Sequence, residues 1–199
     1  MGETLLTLLA EDAESEGASF KVVRDSSSRA AIVDLISLAD RVQWSDPLFR
    51  DELASWSHPN RTESRDGLPG YALGLGAMAS VFAPTIIRRF DAGNGRAASD
   101  RELATHSPVL AVIGTAGDAP SDWLAAGQAL ERILLRATIE GAAASFLNQP
   151  IELADLRPRV AEVAELTGFP QLILRIGYGP PDRGTPRRDA ADVLVTATG

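Results

Sequence analysis

Two groups of polar residues in the second half of the chain have the residue types that ligand binding needs. In the first, Asn148 and Gln149 offer amide donors and acceptors that suit a flat heterocycle. In the second, Arg187 and Arg188 carry planar, permanently charged guanidinium groups that can bind a phosphate through paired hydrogen bonds. Both groups also have a structural interpretation, because Asn and Gln before a proline mark helix starts and adjacent arginines commonly lie in solvent.

Other residues that carry chemistry are scarce. The chain has no cysteine, which excludes disulfides, thiolate chemistry and Cys-ligated metals, and favours a cytoplasmic location. The two histidines, His58 and His106, are isolated, so no metal site is predicted. The glycine pairs at 74–76 and 177–179 lack the GxGxxG pattern between a strand and a helix, which excludes a Rossmann dinucleotide site. No catalytic side chain is identified.

The charge balance limits the partners that the chain can have. The formal net charge is -8 and the isoelectric point is about 4.8, which disfavours nucleic acid and anionic membranes. No stretch approaches the roughly 20 apolar residues of a membrane span. With 199 residues, of which 45% are hydrophobic, the chain suits a single packed domain over residues 1–199.

The two polar groups lie between strongly patterned elements. The apolar run 107–114 predicts a strand, 122–140 predicts a long helix ending at Gly141, and 171–179 predicts a second strand. The long helix is apolar almost all round, so it is either a core helix under a sheet or part of a dimer interface. Both interpretations remain open at this point.

The first half of the chain has a weaker pattern. A short helix around residues 5–9, a strand over 18–23 and two further helices are predicted, the last beginning at Asp46 and Pro47. Residues 67–101 are predicted to form a loop insertion that could act as a lid. Within this insertion, Pro84 is expected to interrupt an apolar stretch and give two short helices or one broken helix, and residues 91–100 are expected to be a polar loop.

Taken in order, several segments resemble the nitroreductase superfamily, and in particular its Acg-type branch. The long helix, the corner from Phe146 to Pro150, the strand that follows and the arginine pair succeed one another as in that family. The resemblance extends from about residue 18 to residue 194. The segments that carry it are residues 40–56, 66–69, 122–141, 146–150, 168–179 and 186–188.

The resemblance implies an α+β fold, an α-β-α sandwich with a mixed central sheet. It also implies FMN as cofactor and a homodimer or a second half-domain as partner. Such proteins pass a hydride from NAD(P)H through the flavin to a nitroaromatic or quinone-like acceptor. Carried over by motif, Phe146, Asn148 and Gln149 lie along the flavin edge, and Arg187 or Arg188 binds the FMN phosphate. The flavin supplies the chemistry and the protein positions it.

The chain also departs from the family pattern. It lacks the Arg-x-Ser phosphate-binding motif near the start of nitroreductases and the early Asn-x-Gln-Pro-Trp segment of the Acg-type branch. The chain therefore resembles the second half of a two-half protein, or a shortened relative. Two alternatives to an oxidoreductase stay open: a non-enzymatic protein that binds or sequesters FMN, and a degenerate half-domain that needs a partner chain.

Overall fold

The structure is a computed structural model that describes residues 1–179 and 184–194. The helices are α1 Glu3–Ser15, α2 Ser26–Ser45, α3 Pro47–Ser55, α4 Ala77–Arg89, α5 Gly93–His106, α6 Pro120–Ile139, α7 Gln149–Glu152, α8 Arg157–Val163 and α9 Ala190–Val193. The strands are β1 Ala18–Val22, β2 Ser57–His58, β3 Leu68–Pro69, β4 Val109–Thr115, β5 Ala143–Phe146 and β6 Phe169–Gly177. The described residues form two compact units, one of residues 1–42 and 93–179, the other of residues 43–92 and 184–194.

The first unit is built on a four-stranded sheet with the strand order β1-β4-β6-β5. Ala18 pairs with Thr115, Val109 with Ile176, and Phe146 with Leu174, and the strands of each pair are antiparallel. All seven residues of β4 are buried, which explains why the sequence of this strand is an unbroken apolar run. Such a run is typical of a strand that is covered on both faces of its sheet.

Two hydrophobic cores lie on opposite faces of this sheet, because successive residues of a strand point to opposite sides. Ala111 and Ile113 of β4 belong to the core that also contains residues of α1 and α6. Leu110 and Val112 belong to the core that contains residues of α2 and α8. The first unit is therefore an α-β-α sandwich, and the α+β class predicted from the sequence is confirmed.

One detail of the predicted sheet differs from the structure. A mixed central sheet was expected, whereas the described strands of the four-stranded sheet pair only in the antiparallel sense. The parallel pair is the short one in the second unit, where Ser57 of β2 lies beside Leu68 of β3. The mixed sheet came from the family resemblance alone, and apolar patterning carries no information on strand direction.

The second unit has a smaller core, formed by α3 and α4 around Ala54, Ala83 and Ile87. Asp46 caps α3 by accepting a hydrogen bond from Leu48 N at 2.8 Å, as its place before Pro47 suggested. The expected break of α4 at Pro84 is wrong, because the helix continues through the proline to Arg89. Proline removes one helical hydrogen bond, but Ala83 and Ile87 on either side of it are held in the core.

The polar stretch after α4 also differs from expectation. Residues 91–100 were predicted to be a loop, whereas α5 begins at Gly93. Its buried face is made of Ala97, Asp100 and Ala104, which follow helical spacing although one of them is charged. Residues 67–101 thus contain a 3-10 helix, Gly70–Leu73, the helix α4 and the first part of α5, and their role as a lid stays a prediction.

The three tryptophans are divided between the two units. Trp123 belongs to the first unit, at the start of α6, and its indole N–H donates to Asp118 Oδ1 at 2.8 Å. Trp44 and Trp56 belong to the second unit, where the Trp44 ring meets Phe49 edge-on at a centroid distance of 6.1 Å. Trp56 follows the last turn of α3 and is half exposed.

Candidate functional site

The corner that the sequence singled out follows the edge strand β5. After the last pair of the ladder, Leu147 N donates to Ile173 O at 2.9 Å. The side-chain carbonyl of Asn148 then accepts from Ile173 N, also at 2.9 Å. The Asn148 side chain thus takes the place of a backbone partner for β6, and it fixes the point at which the chain leaves the sheet and enters α7.

Gln149, the first residue of α7, points into the first unit. Its Nε2 donates to Asp40 Oδ1 of α2 at 3.1 Å and to Asp100 Oδ2 of α5 at 2.7 Å. Arg96 Nε, one turn before Asp100, donates to the same Asp100 oxygen at 3.1 Å. Both Asp side chains are about 1% exposed. A single amide group therefore holds three helices together through two buried carboxyl groups.

This arrangement has more negative charge than the groups around it neutralise. Burial and, after it, the neighbouring charge of Asp100 raise the pKa of Asp40 to about 6, while the hydrogen bond from Gln149 and the charges of Arg96 and Arg41 oppose the shift. Among the described residues, Asp40 Oδ2, Asp100 Oδ1 and Gln149 Oε1 are buried and lack a hydrogen-bond partner. A proton on Asp40 relieves the repulsion and supplies a donor to this group.

Phe146 precedes this corner, as the last residue of β5. It is 48% exposed, although its backbone pairs with Leu174 of the central region of the sheet. An exposed aromatic ring at the end of an edge strand offers an apolar surface to a ligand. Of the corner residues predicted to touch a cofactor, Phe146 is the one whose side chain is exposed.

The arginine pair lies in the second unit and not in the unit that contains the corner. Both arginines are exposed. Arg188 Nε lies 3.8 Å from Asp66 Oδ2, which is a loose ion pair. Arg187 Nη1 donates to Thr185 Oγ1 at 2.5 Å and to Pro186 O at 3.1 Å. The contacts of Arg187 are with its sequence neighbours, and the contact of Arg188 with Asp66 is long. Both guanidinium groups therefore keep donors that an anion can use.

The first unit contains a second polar network that was not predicted from the sequence. Arg157 of α8 donates to both oxygens of Asp118 at 2.7 Å, and Gln171 Nε2 donates to Thr115 Oγ1 at 2.8 Å. The hydrogen bonds from Arg157 hold the pKa of Asp118 well below its usual range. This network ties the start of α6 to α8 and β6. The hydrogen bonds from Arg157 and Gln171 to Asp118 join residues 39 and 53 positions apart, and no local pattern could have revealed them.

The described residues contain neither a metal-binding cluster nor a helix suited to span a membrane. No group of three or more His, Asp or Glu side chains within residues 1–179 and 184–194 is placed to hold a metal ion. No helix in the same part of the chain has the length and apolar character that crossing a membrane requires.

The chain is similar to known proteins in sequence and in structure. No family model matches the chain. It is 32% identical over 195 residues to the Mycobacterium tuberculosis protein named "Putative NAD(P)H nitroreductase Rv3131", covering 95% of this chain and 54% of that protein. It is 30% identical over 196 residues to "Uncharacterized protein Rv3127" of the same organism, covering 94% of this chain and 54% of that protein. The chain thus spans about half the length of these curated relatives.

A solved structure agrees with these relatives. The FMN and NADPH-dependent nitroreductase NfnB from Sphigopyxis sp. strain HMH superposes with a TM-score of 0.59 at 17% identity, covering 100% of this chain and 91% of that one. The sequence relatives support the nitroreductase superfamily for this chain, and the solved structure shows the same fold. The family predicted from the sequence is therefore confirmed at this level, while the Acg-type branch stays a prediction.

The residues present fit a flavin in part. The exposed ring of Phe146 suits an apolar heterocycle, and the exposed guanidinium groups of Arg187 and Arg188 suit a phosphate. Asn148 Oδ1 is already engaged with Ile173, and Gln149 Nε2 with Asp40 and Asp100. Their role as flavin contacts stays a prediction, and the structure gives both residues a second role, which is to hold the corner in place.

Proposed function

We propose that the chain is an FMN-dependent oxidoreductase of the nitroreductase type and of the Acg-type branch. In this proposal, bound FMN takes a hydride from NAD(P)H and passes it to a nitroaromatic or quinone-like acceptor. The observation that supports it most is the corner, where an exposed Phe146 is followed by residues fixed to β6, α2 and α5. The similarity to a relative named as a nitroreductase is the reason to consider this corner a flavin site.

The residues of the corner have distinct roles in this proposal. Phe146 packs against the flavin edge through its exposed ring. Asn148 and Gln149 hold the corner rigid, so that its backbone groups meet the polar edge of the flavin at a fixed position. Pre-positioned groups of this kind bind a cofactor without the entropic cost of ordering a loop.

The arginine pair is proposed separately as the phosphate ligand, through Arg187 or Arg188. A guanidinium group binds a phosphate with two parallel charge-assisted hydrogen bonds, and both side chains are exposed. Since the curated relatives are nearly twice as long as this chain, the proposal includes a second half, supplied by a homodimer or by another half-domain. NAD(P)H as reductant and the absence of cysteine support a cytoplasmic location.

The test starts with flavin uptake. The purified protein is mixed with FMN, separated from free flavin and measured by visible absorbance, and NAD(P)H oxidation is then followed with a nitroaromatic and a quinone. We expect Phe146→Ala to weaken FMN binding about tenfold, since it removes an aromatic contact of about 1.5 kcal/mol. Phe169→Ala is the matched control, because Phe169 is similarly exposed, at 44%, in another strand of the sheet. A protein that takes up no flavin, alone or with a candidate first half, contradicts the proposal.

A second function is supported by the engagement of the two amides. Hydrogen bonds to the flavin ring tune its electronics, and the side chains of Asn148 and Gln149 are bonded elsewhere. A protein that binds FMN without tuning it would store or sequester the flavin. The two functions separate under anaerobic conditions, where NAD(P)H bleaches the bound flavin of an oxidoreductase and leaves that of a sequestering protein yellow. A half-domain that needs a partner binds FMN only when that partner is added.

A further inference from the structure

Arg175 lies in the second half of the strand β6, on the face of the sheet that α2 and α8 cover. It is opposite Leu110 of β4 on one side and opposite Ser145 of β5 on the other. Leu110 belongs to the hydrophobic core of that face. Because residues paired across antiparallel strands point to the same side, the side chains of Leu110, Arg175 and Ser145 form one row across three strands. The row changes from apolar to polar toward the edge of the sheet.

The guanidinium group of Arg175 has no partner within the part of the chain that the structure describes. Its Nε is buried and forms no hydrogen bond, and Arg175 takes part in no ion pair with residues 1–179 or 184–194. Arg50 also has a buried Nε without a partner, but Arg50 Nη1 donates to Trp44 O. Buried donors are nearly always paired in folded proteins, because an unpaired one costs free energy. Arg175 therefore differs from the other described arginines.

The surroundings of Arg175 toward the sheet edge have small side chains. Arg175 and Ser145 are both partly buried, and Ala143, at the start of β5, is exposed. The next pair on the same face is Ala143 and Gly177. The ring of Pro108 lies against Gly177, so the accessible side is that of Ser145 and Ala143. Since β5 is an edge strand, a ligand can reach the guanidinium group there without displacing a large side chain.

We propose that Arg175 and Ser145 form a binding position for the phosphate group of a small anionic ligand. The Nε–H and one Nη–H of Arg175 donate in parallel to two phosphate oxygens, and the Ser145 hydroxyl donates to a third. A carboxylate has two oxygens, which the planar guanidinium group already satisfies. The additional donor on the neighbouring strand therefore favours a phosphate, whose oxygens do not lie in one plane.

This position is separate from the arginine pair that the proposed function assigns to FMN. Arg175 belongs to the first unit, whereas Arg187 and Arg188 belong to the second. The inference goes beyond the proposed function and does not depend on it, because Arg175 and Ser145 offer the same donors with or without a flavin. Inorganic phosphate and a phosphate ester share the required chemistry, and the experiment separates these two sources.

The experiment measures phosphate binding by the full chain in a phosphorus NMR titration at constant pH and ionic strength. Inorganic phosphate and ribose 5-phosphate are the two probes. We expect Arg175→Gln to raise the dissociation constant about tenfold or more, since charge-assisted hydrogen bonds are lost. Arg159→Gln is the matched control, because it removes the same charge from an exposed arginine of the same unit. This control is expected to leave the constant nearly unchanged, because distant exposed charges are screened.

Circular dichroism shows whether Arg175→Gln still folds, and Ser145→Ala replaces it if it does not. The loss of one neutral donor in Ser145→Ala is expected to weaken binding about fivefold. Tighter binding of ribose 5-phosphate than of inorganic phosphate identifies an ester as the ligand, and the reverse order identifies the free ion. A wild type that binds neither probe overturns the proposal, as does binding that Arg175→Gln and Arg159→Gln weaken equally.

FMN uptake is measured on the same samples, so that the two proposals are tested separately. Phosphate binding that depends on Arg175, in a protein that takes up no flavin, counts against the proposed function alone. Flavin uptake together with phosphate binding that Arg175→Gln leaves unchanged counts against the phosphate position alone.

Discussion

The corner at Asn148 and Gln149 and the arginine pair at Arg187 and Arg188 have been assigned to one cofactor by resemblance, yet they are held in very different ways. The corner amides bond to a strand and to two buried carboxyl groups within the first unit. The arginines lie exposed in the second unit, with one loose ion pair and local contacts. A motif residue can therefore be needed for the fold, for a ligand or for both, and stability measurements can separate these roles.

The largest effect is expected for Gln149→Leu. This change removes the donor shared by Asp40 and Asp100 and leaves two buried carboxyl groups without it. We expect the free energy of unfolding to fall by about 3 kcal/mol, since each hydrogen bond to a charged group contributes about 1.5–3 kcal/mol. Urea unfolding measures the change. Gln128→Leu, at an exposed position of α6, is the control and is expected to have little effect. Equal stability of the two variants would show that the corner is not anchored through Gln149.

The next effect concerns pH. The pKa of Asp40 is about 6 in the folded protein and near the ordinary value of 3.8 when unfolded. Between these values the folded state binds more protons than the unfolded state, so this group makes the protein less stable as pH rises from about 4 through 6. Asp40→Asn removes that dependence. Relative to wild type, we expect the variant to gain about 2 kcal/mol of stability between about pH 4 and pH 8.

Urea unfolding at several pH values checks this expectation. Asp34→Asn is the control on the same helix, because the Asp34 side chain is 68% exposed and paired with Arg101. A parallel shift of both variants with pH would mean that Asp40 ionises as an ordinary surface carboxyl group. It would also weaken the contrast between a buried corner and an exposed arginine pair.

The smallest effect on stability is expected for Arg188→Ala. The pair with Asp66 is long and exposed, so its loss should change the free energy of unfolding by no more than about 0.5 kcal/mol. If Arg188 binds the FMN phosphate, flavin affinity should nevertheless fall about ten- to a hundredfold. Flavin titration and urea unfolding of the same sample measure both quantities. Arg159→Ala, an exposed arginine of α8, controls for the change in net charge. An unchanged titration would remove Arg188 from the site.

Much of the first unit could be predicted because its signals are local. The apolar run of β4 and the pattern of α6 follow from the burial of both elements against the sheet. The course of α5 could not be predicted, because Asp100 takes a buried position that helical patterns normally give to an apolar residue. Its burial depends on Gln149, which lies 49 positions away. A contact between residues so far apart cannot be predicted from the sequence around either of them.

The candidate site could also be predicted only in part. The order of segments identified the family and directed attention to Phe146, Asn148 and Gln149, but residue types alone could not show where the amides point. The direction of the Gln149 side chain is set by its partners Asp40 and Asp100. These two residues lie in distant segments, and nothing in the sequence connected them with Gln149. Pro84 illustrates the converse case, since a strong local signal for a break yields to the packing of Ala83 and Ile87.

The distribution of the tryptophans gives each unit its own optical reporter. With Trp44 and Trp56 replaced by phenylalanine, the fluorescence of the chain comes from Trp123 and follows the first unit. With Trp123 replaced instead, the emission follows the second unit. The two single-unit signals can then show whether the units melt in one transition or in two. The same signals can show which unit responds when FMN is added, because a bound flavin quenches the nearest indole most strongly.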